Sequence, residues 1–143
     1  MKRTLLAALL VGTWTLGACT PPAAQMAAPA AVCVAPLRPA VEVDLYFGRG
    51  LDKGREVSEA EWAAFLNEEV TPRFPDGLSV IDVRGQYRAS DGRIERERSK
   101  LLIVVVFDAP AHMSKVQAVV DAYKARHGQE SAFRVERAAC AGG

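Results

Sequence analysis

The chain has 143 residues, half of them hydrophobic and 24% charged, with 18 lysine and arginine side chains against 17 acidic ones. That near-balance gives no electrostatic bias toward nucleic acid or anionic lipid. Without residues 1 to 18 the count is 16 basic against 17 acidic, 16 − 17 = −1, so the same exclusion holds for the remainder.

The first residues read as a signal peptide. Lys2 and Arg3 form a positive start, and Thr4 to Leu16 form an apolar stretch ending at small residues. The stretch falls short of the roughly 20 apolar residues that a permanent spanning helix needs. Leu16-Gly17-Ala18-Cys19 resembles a bacterial lipobox. That resemblance implies cleavage after residue 18, a diacylglycerol on the Cys19 sulfur, and anchoring to which each buried methylene contributes about 0.8 kcal/mol. Thr20 stands where the resemblance would put aspartate in lipoproteins kept at the inner membrane, so an outer-membrane position facing the periplasm is expected. Ala and Pro dominate from Thr20 to Pro39, which makes residues 19–40 a lipidated tether of polyproline character.

Residues 41–140 are expected to fold, with 141–143 as a tail. Val41, Val43, Leu45 and Phe47 alternate with Glu42, Asp44 and Tyr46, the period of a strand with one buried face. A Gly- and charge-rich loop follows to Arg55. Ser58 and Glu61 form a Ser-x-x-Glu capping box for a helix with Val57 as its staple onto Trp62. Trp62, Phe65, Leu66 and Val70 are its apolar stripe, and Pro72 and Pro75 stop it. The spacing reads as core rather than a cofactor site. Leu78 to Arg88 and Ile94 to Phe107 predict a hairpin turning at Asp91-Gly92, and the doubly apolar run Leu101 to Phe107 belongs at a sheet centre. A second helix is expected from a cap near Asp108 and Pro110, with Met113, Val116, Val119, Val120 and Tyr123 buried and Gly128 as its stop. Ala132 to Arg137 is the last strand. The order βαββαβ predicts an α+β, ferredoxin-like domain: a four-stranded antiparallel sheet with two helices on one face, first and third strands central.

With Cys19 assigned to lipid, Cys33 and Cys140 remain as an even pair in a compartment that permits disulfides. The fold brings the start of the first strand beside the end of the last, so the two cysteines are expected to pair. A metal site is disfavoured, because neither has a second ligand at short spacing and His112 and His127 lie 15 residues apart.

Two stretches could carry function. A two-residue Asp91-Gly92 turn would put Arg84, Gln86 and Arg88 on one face with Glu95, Glu97 and Ser99, and Tyr87 with Arg96 and Arg98 on the other. Such guanidinium forks suit an anion or a carboxylate; the same residues also suit a solvated hairpin with cross-strand ion pairs. The sheet face away from the helices is expected to project Glu42, Asp44, Tyr46, Arg134 and Glu136, either as acid-base groups in a cavity or as a wetted face or dimer contact. No Ser-His-Asp order, phosphate loop or His-x-x-x-His pair is present, no cofactor is implied, and Gly48-Arg49-Gly50 reads as a turn.

Leu45-Tyr46-Phe47-Gly48-Arg49, Val57 to Trp62, Thr71-Pro72-Arg73-Phe74-Pro75-Asp76-Gly77-Leu78, and Gly85-Gln86-Tyr87 with Arg96 to Lys100 resemble the domain-of-unknown-function family 3574. The likeness spans about residues 41 to 140 and implies no activity, cofactor or catalytic residue. The chain is therefore read as an envelope lipoprotein that binds a protein partner or small ligand without catalysis. The alternative is a small enzyme or ligand-binding protein built as a dimeric α/β barrel, and a third reading is a structural protein at the cell wall.

Overall fold

The computed structural model describes residues 32–88 and 91–143. The signal peptide, Cys19, most of the tether and Ala89-Ser90 of the hairpin turn lie outside the described residues. In chain order the elements are β1 (Arg38–Gly48), α1 (Glu59–Phe65), β2 (Ser79–Arg88), β3 (Ile94–Val106), α2 (His112–His127) and β4 (Phe133–Ala141). The sheet order is β2-β3-β1-β4 with every neighbouring pair antiparallel. The fold is the expected ferredoxin-like one, with the doubly apolar β3 central. Pro39 lies opposite Cys140, and Cys33 is disulfide-bonded to Cys140 with 5.5 Å between their Cα atoms.

The alternation of β1 buries Val43, Leu45 and Phe47 on the side of the helices, where Leu102 and Val104 of β3 join them. Against this surface pack Trp62 and Phe65 of α1 and Val116, Val119 and Tyr123 of α2. The Phe47 ring lies 4.6 Å from Tyr123 and 5.6 Å from Trp62. Each fully buried side chain of this kind contributes about 1.5–3 kcal/mol. The Ser58–Glu61 capping box forms as expected: the Ser58 hydroxyl accepts from the Glu61 N–H at 3.2 Å and Glu61 accepts from the Ser58 N–H at 2.8 Å. Beyond Phe65 the helix widens into a π turn, Leu66–Val70, before the prolines.

Three expectations need correction. The second helix is capped by Ala111, with no side-chain hydrogen bond, because the Asp108 carboxylate is taken by Lys115 Nζ at 2.7 Å. Met113 is 49% exposed, and His112 takes its place in the buried stripe, since positions 112, 116, 119 and 123 share one helical face. The faces of β4 are also exchanged. Arg134 and Glu136 pair with Leu45 and Val43, and so stand on the helix side, while Phe133, Val135 and Arg137 stand on the open face. His112 explains part of this, because its Nε2 lies 3.6 Å from Glu136 beside the helix.

The open face is consequently apolar rather than wetted. Tyr46, Leu101, Ile103, Phe133 and Val135 occupy its middle, flanked by Ile81, Val105 and Phe107. Phe133 is 67% exposed and Ile81 48%. Among the described residues, no helix is long and apolar enough to cross a membrane.

Candidate functional site

The strands β2 and β3 run on past the end of β1 as a two-stranded arm, and the loop from Arg49 to Val57 folds back beside it. Tyr123 Oη fixes the loop's start by donating to the Gly48 carbonyl at 2.7 Å, and the Arg49 N–H donates to the Arg98 carbonyl at 3.0 Å. Gly48 is needed there. A Cβ at this position would sit 2.3 Å from Glu97 Oε1, which accepts from the Gly50 N–H at 3.1 Å.

On the helix side two cations are buried, Arg49 at 4% exposed and Lys100 at 3%. Arg49 donates through Nε to the Val57 carbonyl at 2.8 Å and through Nη1 to Glu59 Oε1 at 2.7 Å. Lys100 Nζ reaches Glu59 Oε2 at 2.7 Å and Asp82 Oδ1 at 2.6 Å. One carboxylate thus bridges both cations and ties the first turn of α1 to β3. The hydrogen bond from Lys100 holds the carboxyls of Glu59 and Asp82 below their ordinary range. Burial alone would lower the Lys100 value, but the bonds to Asp82 and Glu59 outweigh it and raise it.

Further out, the arm has a register one residue away from that of a two-residue turn. Arg88 pairs with Ile94, so five residues, 89 to 93, make the connection. Asp91 accepts from the Arg93 N–H at 3.0 Å and from Arg93 Nε at 2.6 Å, and Gly92 has φ 88°, which keeps Arg93 inside the turn. The one-residue slip exchanges faces. Arg84 therefore stands directly opposite Arg98 and Gln86 opposite Arg96, all on the helix side, while Tyr87 faces Glu95 on the other side with Glu97. The expectation that Arg84, Gln86 and Arg88 share a face with Glu95, Glu97 and Ser99 is corrected accordingly.

Like charges placed directly opposite destabilise an antiparallel pair. Arg98 has a partial partner in Glu56 at 3.4 Å, whereas Arg84 and Arg96 have no carboxylate partner among the described residues. The arm and the loop enclose an open cleft of about 680 Å³, lined by Arg55, Arg84, Arg96 and Arg98, by Gln86, and by Glu56 and Glu97. Four guanidinium groups against two carboxylates leave it with a charge of 4 − 2 = +2. Four of the arm residues singled out in the sequence are brought together here, and Tyr87 is on the arm's far face. Arg55 and Glu56 went unnoticed because their loop carries only a turn signal, and only the Arg49 anchors place it against the arm.

Asp44 and Tyr46 lie elsewhere, on the open face. Arg137 Nη2 contacts Asp44 Oδ2 and donates to Glu42 Oε1 at 2.9 Å. The hydrogen bond to Glu42 and the charge of Asp44 raise the Arg137 value further. Asp44 is 4% exposed, and its Oδ1 has no hydrogen-bond partner. Tyr46 stacks at 5.8 Å on Phe133. Among the described residues no group of three or more His, Cys, Asp or Glu is placed to hold a metal ion.

The family of proteins of unknown function DUF3574 matches residues 42–142, which takes in the whole sheet from Glu42 onward, both helices and the arm. The chain belongs to that family. This DUF3574 domain also resembles solved structures. A phage SAM lyase in complex with S-methyl-5'-thioadenosine is similar with TM-score 0.56 and 17% identity, over 71% of this chain and 88% of that one. The same lyase in its apo state gives 0.52 and 18%, over 68% and 79%. CutA1 from Oryza sativa gives 0.50 and 12%, over 75% and 85%. At these identities the likeness is one of fold alone. No curated protein matches the DUF3574 chain.

Proposed function

We propose that this DUF3574 protein is an extracytoplasmic binding module, held to a membrane by a lipid on Cys19, that takes an anionic group of a small ligand or protein partner in the arginine cleft. The observation that carries the reading is Arg84 directly opposite Arg98, with Arg96 beside them and neither Arg84 nor Arg96 neutralised by a carboxylate. Three forks on one rigid face can grip a carboxylate or phosphate through paired hydrogen bonds. Guanidinium groups stay protonated at all physiological pH values, so they bind and orient rather than transfer protons. That supports a binding role over a catalytic one.

The anchor rests on Lys2, Arg3, the apolar stretch and Leu16-Gly17-Ala18-Cys19. Thr20 supports the outer membrane, and the Cys33–Cys140 bridge suits an oxidising compartment such as the periplasm. Metabolic labelling with palmitate should mark the wild-type chain and not Cys19→Ser, which should leave the membrane fraction; equal labelling of both would reject the anchor.

For the cleft, the mature chain with Cys19→Ser is titrated calorimetrically at low salt with citrate and with pyrophosphate, and Arg84→Ala and Arg96→Ala are compared. Binding of either probe that falls at least tenfold in both variants is expected. Arg84→Ala should not destabilise the free protein, since it removes a like-charge pair worth roughly 0.2–1 kcal/mol. Unchanged probe binding, or none, together with a loss above about 2 kcal/mol, would mean that the arginines are structural.

A further inference from the structure

We infer that the open face of the sheet is covered by a second copy of this chain, related by a two-fold axis that lies between the two sheets and crosses the strands at the level of Asp44 and Ile103. The inference shares Glu97 with the lining of the arginine cleft and otherwise rests on other residues. It starts from the exposure of Phe133, Ile81, Phe107 and Val105 on one continuous sheet face, at 67, 48, 47 and 39%. Monomers rarely leave contiguous apolar patches larger than a few hundred Å² in water. Four strands about 4.8 Å apart and some eight residues long make a face of roughly 500 Å² in projection. Its pleated side-chain surface is larger, close to the roughly 800 Å² per partner of a standard interface.

Charge fixes the occupant and its direction. Asp44 pairs with Ile103; Arg38 is six residues before Asp44 on β1, and Glu97 is six residues before Ile103 on the oppositely running β3. Arg38, whose guanidinium lies 4.4 Å over the Phe107 ring, and Glu97, whose Oε1 accepts from the Gly50 N–H, therefore stand about 20 Å to either side of that level on the same face. Rotation about the proposed axis lays Arg38 of each copy over the Glu97 end of the other, with the apolar middles in contact. An axis along the strands would stack like ends. Under the proposed rotation Asp44 and Tyr46 lie inside the interface.

The test uses the mature chain with Cys19→Ser and the Cys33–Cys140 bridge intact. Sedimentation equilibrium should give a dimer. Arg38→Glu and Glu97→Arg should each raise its dissociation constant at least tenfold, and the double variant should return to within about threefold of the parent. Phe133→Asp should give a monomer with an unchanged circular dichroism spectrum. Ile103→Cys, next to the axis, should be joined to its mate by a short bismaleimide, whereas Phe107→Cys, far from it, should not. A monomer or trimer at every concentration, or cross-linking at Phe107 in preference to Ile103, overturns the inference.

Discussion

Glu59 serves two buried cations with one carboxylate, and this makes its replacement costlier than theirs. Lys100→Met exchanges a buried charge for an apolar chain of similar volume and leaves Glu59 and Asp82 free to turn to water, so the change in stability should stay within about 1 kcal/mol. Glu59→Gln leaves Arg49 and Lys100 buried with less compensation, and urea titration should find it the less stable of the two variants. The pH dependence has a fixed sign. Glu59 and Asp82 have folded values below their unfolded ones, so their contribution is complete above about pH 5 and is lost as pH falls through the lowered values. Lys100 is raised, so its contribution holds below its unfolded value and fades only as strongly alkaline pH passes through the folded one. Thermal unfolding from pH 2 to 6 should therefore show an acid-side decline that is shallower in Glu59→Gln. Gly48→Ala should cost about 1–2 kcal/mol by expelling the Glu97 carboxylate from the Gly50 N–H. None of these roles was legible in the sequence. Arg49 sits in a motif that reads as a turn, and Lys100 ends a charged run, so neither pattern marks a buried cation; only the crossing of α1 over β3 does.

At the level of elements, local signals carried furthest where the chemistry is local. The Ser58–Glu61 capping box and the left-handed Gly128 both stand where the residues put them. Ser58→Ala should cost about 1 kcal/mol, measured by chemical denaturation, because the Glu61 N–H loses the Ser58 hydroxyl that accepts from it. Asp108, a good cap by type, does not cap α2, because its carboxylate is engaged by Lys115. The arm shows how one extra turn residue redistributes a site. Asp91-Gly92 marks the reversal correctly, yet the Asp91 bonds to Arg93 lengthen the turn, and the slip turns a set of neutralising pairs into an arginine platform. For β4 the assumption that apolar residues face the core failed, because Phe133 and Val135 extend an apolar open face.

For the whole molecule, the order of elements was enough to set the sheet order, and sheet order was enough to bring Cys33 to Cys140. The bridge closes a loop with a sequence separation of 107. Chain-entropy reasoning assigns such a loop about 4–5 kcal/mol. Reduction, or the Cys33→Ser/Cys140→Ser pair, should lower the melting temperature markedly while leaving the circular dichroism spectrum of the folded state unchanged, since neither cysteine belongs to the core. The placement of that bridge has a mechanical side. A pull arriving from the residues before Cys33 meets the sulfur link before it meets any strand, and the link passes it directly to the end of β4. Resisted at the far end of the sheet by whatever occupies the arm, the load runs along β1 and β4 together and shears the ladder between β1 and β3 from Val41 to Gly48 all at once. Without the bridge the same pull would enter through β1 alone, and its ladders to β3 and β4 would both carry the shear.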